Sequence, residues 1–565
     1  MNKPISTIEH YGDLSCSTLR CDNLRARCIT VGDTDKTLLH NNLEIVGNAR
    51  IDGILFNYNN IYDFRVDDLI YSSGNIPNQL SDSFVYINDG LVIANSINGT
   101  TTGGWTNRRI LYLPDAHFDE KVDKIFSNRR RMFVITNTGK VFAIGNNDNC
   151  SLGIDGVTSA SVNQFTRAFT RDANGNDLTN VQFSKIIITG INCRTTYALS
   201  VDGNLYACGE NSNGQLANGT TTSTNSTTLK CPNRVDFSGV GIASGIVKDA
   251  IMGGETWSFI NNASNMSAAT GIHSVTLVVV TKNNEVWAAG YGNLGQNGQG
   301  RRNVDTLTRL VKVKVSNSEN LTDVSSIHVY SAFEPIRTSY QYSYGGQYIY
   351  GFIAITNSGK LYQWGIACGV WNSDIGYSPI TVNWRKEPSP NLFATNIPIT
   401  NDDKTIKRIW ISNSCMKTGL YIQTTDDLVY SVVMESNDKF KIVFNQFFNN
   451  TTTILDNIYI ISGYISDRVS LFAITHNNTT MKYTLWAIGY NKYGQLGLGN
   501  RDNIWTMTNT GIDSKYVQNI RSITGMNYDR YYTCILLNDG HVFHAGEKFP
   551  LDGSSDVKPT FRLLS

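Results

Sequence analysis

Eight histidines, ten cysteines and a scatter of carboxylates are the residues from which a catalytic or metal centre would have to be built, and their spacing supports none. His10, His40, His117, His273, His328, His476, His541 and His544 contain no HExxH or comparable ligand pair. His541 and His544 flank an apolar strand segment, where packing is the expected role. The cysteines are not grouped in CxxC pairs, and although Cys16, Cys21 and Cys28 lie close together, no histidine-rich segment succeeds them at ligand spacing. No GxSxG elbow and no phosphate-binding loop occurs. The stretch GYGNLGQNGQG (290–300) has the composition of a nucleotide loop, but the sequence after Arg301 lacks the helical period such a loop must open into. Carboxylates such as Asp426 and Asp427 read as solvated turn residues. The expectation is a chain without a catalytic centre, metal or cofactor.

Recognition chemistry has one concentrated candidate. The segment SYQYSYGGQYIYG places Tyr340, Tyr342, Tyr344, Tyr348 and Tyr350 on either side of Gly345 and Gly346, as in a hairpin that shows tyrosines on one face. Phenol rings offer a sugar or a protein surface an apolar face and a hydroxyl, which makes these five the candidate receptor- or partner-binding residues. The competing expectation is a strand whose tyrosines pack on its neighbour.

The elements that would carry such residues can be read from composition and pattern. The chain has 565 residues, 48 Lys and Arg against 47 Asp and Glu, and a charged fraction of 17%, so no nucleic-acid partner is expected. Its longest apolar runs, such as 276–281, are too short to cross a bilayer, and the first residues lack the apolar core of a secretion signal; membrane insertion is not expected. Hydrophobic residues at 41% and aromatic residues at 11% suffice for a large core, and the wealth of Gly, Asn, Thr and Tyr favours strands joined by turns.

One phrase recurs along most of the chain: an apolar strand, a polar turn, a second apolar strand ending in Gly, and a polar loop. It begins at Phe133, Tyr197, Leu277, Phe352, Leu471 and Cys534, with an eroded copy at Leu420 that has lost its terminal Gly. Each copy predicts a β-hairpin, and short apolar segments upstream, such as 324–330 and 406–411, predict a further strand per unit. A repeat of about four strands cannot bury both its faces alone and must stack on its neighbours.

The phrases WAIGYNKYGQLGLGN (486–500) and GENSNGQLANG (209–219) resemble the repeat of the regulator-of-chromosome-condensation family. In that family the Gly after the second core strand begins a turn whose Asn and Gly-Gln-Leu-Gly residues shape the way into the outermost strand. The resemblance implies an all-β chain: a seven-bladed β-propeller over 110–565, preceded by a short N-terminal β-rich attachment segment. The family's His after the Gly that ends the first strand is absent, since Gly190, Gly463 and Gly525 are followed by INCR, YISD and MNYD. Neither the loops with which family members activate small GTPases nor their basic tail maps onto this chain.

Residues 1–60 depart from the phrase. Leu43, Ile45, Ile51 and Leu55 recur with Gly47 and Gly53 as punctuation, and LEIVGNARIDGIL (43–55) resembles segments near the N-termini of bacteriophage tail-fibre and other virion appendage proteins. A stretch this short cannot build its own core. It is expected to attach and oligomerise the chain, with residues 61–109 as bridging hairpins. Either 110–113 or the C-terminal PTFRLLS would complete the last blade.

The leading expectation is therefore a structural protein of a virion, made in the host cytoplasm. It would be a homo-oligomer held to other virion proteins through residues 1–60, displaying its propeller to a host receptor or glycan. The alternative is a cellular interaction scaffold or guanine-nucleotide exchange factor, and a glycan-cleaving enzyme is the third reading.

Overall fold

The computed structural model describes four strands between 69 and 111, residue 113, and the chain from 120 to 564 apart from 225–232, 236–244, 259–270, 337–344, 366–390, 398–404, 463–469, 526–531, 547–556 and several shorter segments. The chain divides into two compact units, 1–60 with 116–119, and 61–115 with 120–565. All described residues belong to the second unit.

That unit is a succession of four-stranded antiparallel sheets, eight among the described residues. Sheets A to G match the recurring phrase. Sheet A comprises Val122–Ser127, Arg131–Thr136, Val141–Asn146 and Ser161–Ala168. Sheet B comprises Phe183–Ile187, Thr195–Ser200, Leu205–Gly209 and Asn233–Arg234. Sheet C comprises Val247–Ser258, Gly271–Thr281, Val286–Gly292 and Val304–Lys312. Sheet D comprises Val324–Ile336, Gly345–Thr356, Leu361–Gly365 and Asn391–Asn396. Sheet E comprises Ile406–Asn413, Thr418–Thr424, Val429–Met434 and Phe440–Phe444. Sheet F comprises Ile458–Ser462, Ser470–Asn477, Lys482–Gly489 and Ile504–Asn509. Sheet G comprises Ile520–Gly525, Tyr532–Leu537, Val542–Gly546 and Lys558–Leu564.

The eighth sheet is Leu69–Ser72, Ser83–Asn88, Leu91–Ser96 and Asn107–Leu111, where bridging hairpins were expected, and its first two strands touch the first strand of sheet A. Ile110 pairs with Ile93 inside it, whereas the C-terminal strand pairs with Val542–Gly546. Of the two segments expected to complete the last sheet, PTFRLLS therefore does so.

Side-chain alternation along each central strand separates two interfaces rather than a core from solvent. In sheet A, Phe133, Ile135 and Val141 pack with Phe183 and Ala198 of sheet B, while Met132, Val134 and Phe142 pack with Val122 and Phe165. In sheet C, Leu277 and Val279 join Tyr197 and Leu205 of sheet B, while Val278 and Val280 join Phe352 and Trp364 of sheet D. In sheet D, Ile353 and Leu361 face Ile422 and Tyr430 of sheet E, and sheets F and G share Phe472, Leu485, Ile535 and Phe543. First strands touch first strands from B through G. Sheets stacked face to face in chain order along their first strands are the packing of a β-propeller.

Two local devices recur among the repeats. At the hairpin turn a hydroxyl residue closes a short ring. Lys140, Asn204 and Lys360 donate their N–H groups to the hydroxyls of Thr136, Ser200 and Thr356, whose own N–H groups donate back to the carbonyls of the same residues. In the long loop after the third strand, a buried Asn staples the chain. The Oδ1 atoms of Asn147, Asn211 and Asn491 accept from the N–H groups of Leu152, Leu216 and Leu496 at 3.1, 2.8 and 2.9 Å. Their Nδ2 atoms donate forward, to the carbonyls of Val157, Thr220 and Asn500 respectively. The stapled loop lies on the next sheet's outermost strand: the Gly499 N–H donates to the Pro559 carbonyl at 2.7 Å. A Cβ on Gly497, whose φ is +71°, would lie 2.1 Å from the Phe561 ring, so both conformation and space require glycine there.

Asn491→Ala leaves the Leu496 N–H and the Asn500 carbonyl without their partner, an expected cost of about 2–4 kcal/mol. Asn491→Asp keeps the acceptor but turns a second oxygen toward the carbonyl. Urea unfolding should show it at least as destabilising at neutral pH, with the deficit shrinking in acid as the carboxyl protonates.

Glu120, buried at the entry to sheet A, accepts from Thr136 and Thr138 at 2.8 Å each and from the Lys140 ammonium at 2.7 Å. Burial, the largest single influence, pushes its carboxyl up, but these bonds and the charge of Lys140 together outweigh it and hold the carboxyl below its ordinary value of 4.5. A depressed folded-state pKa contributes stability that is present above the ordinary value and lost as pH falls. The stability gap between the native chain and Glu120→Gln, expected near 2 kcal/mol at neutral pH, should therefore close progressively below about pH 4.5 in acid-unfolding titrations.

Candidate binding face

The first strand of every sheet from A to G carries a β-bulge at its second residue. Val122 and Lys124 face consecutive residues of the neighbouring strand, so Asp123 is unpaired. Ser184, Lys248, Ser325, Lys407, Tyr459 and Arg521 occupy the same place in the later sheets. A bulge re-aims the side chains around it, so the bulge residue and its successor present a recurring pair at one end of the stacked first strands. From A to E those pairs are Asp123–Lys124, Ser184–Lys185, Lys248–Asp249, Ser325–Ser326 and Lys407–Arg408.

Backbone hydrogen bonds clamp this end. The Gln182 carbonyl accepts from Val201 in its own sheet's turn, and the Phe183 N–H donates to Gly139 in the preceding sheet's turn, both at 2.8 Å. Ile246 and Val247, Asp323 and Val324, and Thr405 and Ile406 repeat the arrangement. The bonds back to the preceding sheet measure 2.8 Å at Phe183, 3.0 Å at Val247 and Val324, and 3.4 Å at Ile406.

Lysines then bridge one sheet to the next. Lys124 Nζ donates to the Ser184 carbonyl at 3.0 Å. Lys185 Nζ reaches Asp249 Oδ1 at 2.7 Å and the Ala250 carbonyl at 3.1 Å. Lys248 Nζ donates to the Asn284 side chain at 3.1 Å and the Ser325 carbonyl at 3.3 Å. In sheet D the equivalent positions hold two serines, too short to bridge. A cavity of about 390 Å³ lies there between sheets D and E, lined by Ser326, His328, Thr356, Asn357, Lys407 and Arg408 among others. His328 Nε2 lies 3.1 Å from Ser326 Oγ. Burial pushes its imidazole pKa below 6.5, against the opposing pull of Asp249 and together with the repulsion of Lys185. The Arg408 guanidinium lies 5.7 Å from the centre of the Trp410 ring.

Sequence reasoning passed over this face, because a bulge leaves no residue signature and the lysines sit singly, one per repeat. It also passed over Arg131, which opens an otherwise apolar strand. Its guanidinium is buried and donates to Thr196 Oγ1 at 2.6 Å and to the Cys193 carbonyl, tying sheet A to sheet B.

Of the five candidate tyrosines, Tyr350 lies in the core, not on a surface. It is 1% exposed, its ring meets Phe352 edge-on, and its hydroxyl lies 2.9 Å from Thr276 Oγ1. Gly253 leaves room for the ring, since a Cβ there would sit 2.5 Å from it. Tyr340, Tyr342 and Tyr344 lie outside the described residues, as does the side chain of Tyr348, whose backbone pairs with Phe333. Leu43, Ile45, Ile51 and Leu55 also lie outside them. His544 is buried within a core strand. The glycine-rich stretch 290–300 ends the third strand of sheet C and packs on sheet D: the Gln296 carbonyl accepts from Trp364 Nε1 at 3.0 Å, and a Cβ on Gly300 would strike Phe393. Among the described residues no three His, Cys, Asp or Glu side chains are grouped to hold a metal.

Residues 202–248 match the Regulator of chromosome condensation (RCC1) repeat. The match runs from the hairpin turn of sheet B to the bulge of sheet C. No curated protein matches the sequence. Among solved structures, human WBSCR16 is 14% identical, covering 76% of this chain and 92% of its own at a TM-score of 0.42. Prp20p from Saccharomyces cerevisiae is 13% identical, covering 70% and 80% at a TM-score of 0.39. Yeast RCC1 (Prp20) bound to Kap60 is 13% identical, covering 85% and 93% at a TM-score of 0.42. These are distant likenesses.

The bridging lysines differ in what they bond, which gives a test of their role. Lys185→Gln breaks a partly exposed ion pair and is expected to cost no more than about 1 kcal/mol, less in high salt. Lys124→Gln loses the bond to the Ser184 carbonyl and a longer, exposed ion pair with Asp123 at 3.9 Å, and chemical denaturation should find its cost smaller and less sensitive to salt.

Proposed function

We propose that the chain is a binding scaffold without catalytic activity, whose bulged end docks an acidic protein surface. The observation that carries this reading is charge segregation. A chain with a net charge of only +1 gathers Lys124, Lys185, Lys248, Lys407 and Arg408 on the bulge pairs of sheets A, B, C and E, against Asp123 and Asp249. Lys124, Lys248 and Lys407 are exposed. Cations on a rigid, repeated frame steer an acidic partner and fix its register. The RCC1-type repeat supports the scaffold reading, since propellers present such ends as binding surfaces. An attachment or virion role for residues 1–60 rests on the phrase at 43–55 alone and is not the reading put forward.

A fluorescent oligo-glutamate peptide tests it. The native chain should bind the peptide with an affinity that falls steeply with salt, and Lys124→Glu with Lys248→Glu should weaken binding by about tenfold or more, with the melting temperature lowered only by the small loss of their bridging bonds. Failure to bind, binding indifferent to both substitutions, or tighter binding of duplex DNA of equal charge would refute it.

A further inference from the structure

The hairpin turns at the bulged end repeat one position with one task. The N–H groups of Asn137, Val201, Lys282, Asn357 and Thr425 donate to the carbonyls of Lys121, Gln182, Ile246, Asp323 and Thr405, each at the entry to its own sheet, at 2.7 to 3.0 Å. Four of the five side chains are polar. Asn137 Oδ1 accepts from the Lys121 N–H at 3.0 Å, and Asn357 Nδ2 donates to the Asp323 carboxylate at 2.7 Å. Val201 can make no such bond, and it is 64% exposed. Singly exposed apolar residues are common on protein surfaces. Val201 differs in that its structural equivalents are polar and that it sits among cations.

The turn that carries Val201 is held from two sheets. Beyond its own bond to Gln182, the Val247 N–H of sheet C donates to the Gly203 carbonyl and the Gly245 N–H to Asn204 Oδ1, both at 3.0 Å. A Cβ on Gly203 would lie 2.7 Å from the Gly245 carbonyl oxygen, so the two segments are in close contact. A β-branched side chain on so fixed a backbone has little freedom to lose when a partner covers it.

Lys282 Nζ donates to the carbonyl of Asp202, the residue after Val201, at 3.1 Å. Lys248 follows Val247 of the clamp, and its Nζ bonds the Asn284 side chain and the Ser325 carbonyl. Both lysines are exposed. Their acceptors are neutral, so they aim the ammonium groups without cancelling the charge. The carboxylates around them are engaged by other groups. Asp202 accepts from Ser200 Oγ and from Asn204 Nδ2, Asp249 pairs with Lys185 at 2.7 Å, and Glu285 pairs with Lys312 at 2.6 Å.

We infer that Val201 is an apolar anchor within the basic face, and that the partner presents an acidic segment with an apolar side chain among its carboxylates. This rests on the reading of the bulged end as an acidic-protein site. The apolar side chain covers Val201 while a neighbouring carboxylate meets Lys282, with Lys248 next along the face. Apolar contact supplies the residence and charge the register.

Two fluorescent oligo-glutamate peptides of equal charge, one with a central Leu and one with a central Ser, provide the test. The native chain should bind the Leu peptide about fivefold or more tightly than the Ser peptide. Val201→Ser should bring the Leu peptide down to the affinity of the Ser peptide, at an unchanged melting temperature because the side chain is exposed. Lys282→Gln should weaken both peptides alike. Met481→Ser removes an equally exposed apolar side chain, 68% exposed in the hairpin turn of sheet F, and should leave the preference intact. Equal binding of the two peptides, a preference that survives Val201→Ser, or one lost equally in Met481→Ser would overturn the anchor and leave charge-driven docking standing. If neither peptide binds, both readings fail. Binding of phosphatidylserine vesicles that is lost in Val201→Ser, with no preference between the peptides, would assign the face to a membrane surface instead.

Discussion

A four-stranded sheet whose two faces are both apolar cannot be hidden by a single neighbour, and the rest of this chain's architecture depends on that constraint. Leu277 and Val279 point one way and Val278 and Val280 the other, so sheet C is stable only between sheets B and D. Burying a Val or Leu side chain is worth about 1.5–3 kcal/mol, and each central strand offers several on both faces. The stack must therefore extend in chain order, and the interfaces must sit in nearly fixed register. A slip of one residue would exchange the two faces.

Register at each interface is set at the ends of the strands. The clamp at Gln182 and Phe183, repeated at 246–247, 323–324 and 405–406, holds each of these entries between its own turn and the preceding one. The Asn staple does the same work on the long loops, which lie on the outermost strand of the next sheet. With both clamped, the extra residue of the bulge has nowhere to go within the ladder and is extruded together with its side chain. Charged side chains collect at the bulges because no apolar neighbour is available there.

The hairpins were legible because each uses few residue types for one task. Thr or Ser closes the turn ring, and Gly139, Gly203 and Gly359 supply a positive φ, with Asn284 doing so in TKNNE. The seven hairpins of the repeated phrase all form. The first strand of sheet A was not legible, because VDKIFS is short and interrupted by charge. The sheet at 69–111 was legible as bridging hairpins, with Ser83–Asn88 and Leu91–Ser96 pairing as expected. Tyr350 shows the limit on the side of function: alternate tyrosines announce a hairpin face, but no single sequence says whether that face meets solvent or, as here, Thr276 and Phe352 of the stack.

The opening at sheet D on the candidate face was illegible for a related reason. It is made by an absence within a repeat: two serines in sheet D where sheets A, B, C and E carry a lysine, and these cannot be recognised until the bulges are aligned in space. A repetitive fold makes such exceptions informative. Where sheets A, B and C each reach the next through a lysine, the junction that lacks the bridge must find stability elsewhere. Sheets D and E retain theirs through Ile353, Ile355 and Leu361 against Ile422 and Tyr430. Ile355 and Ile406 of that cluster also line the opening at the bulge, whereas Ile353, Leu361, Ile422 and Tyr430 do not, so the apolar contact starts at the opening itself and extends beyond it.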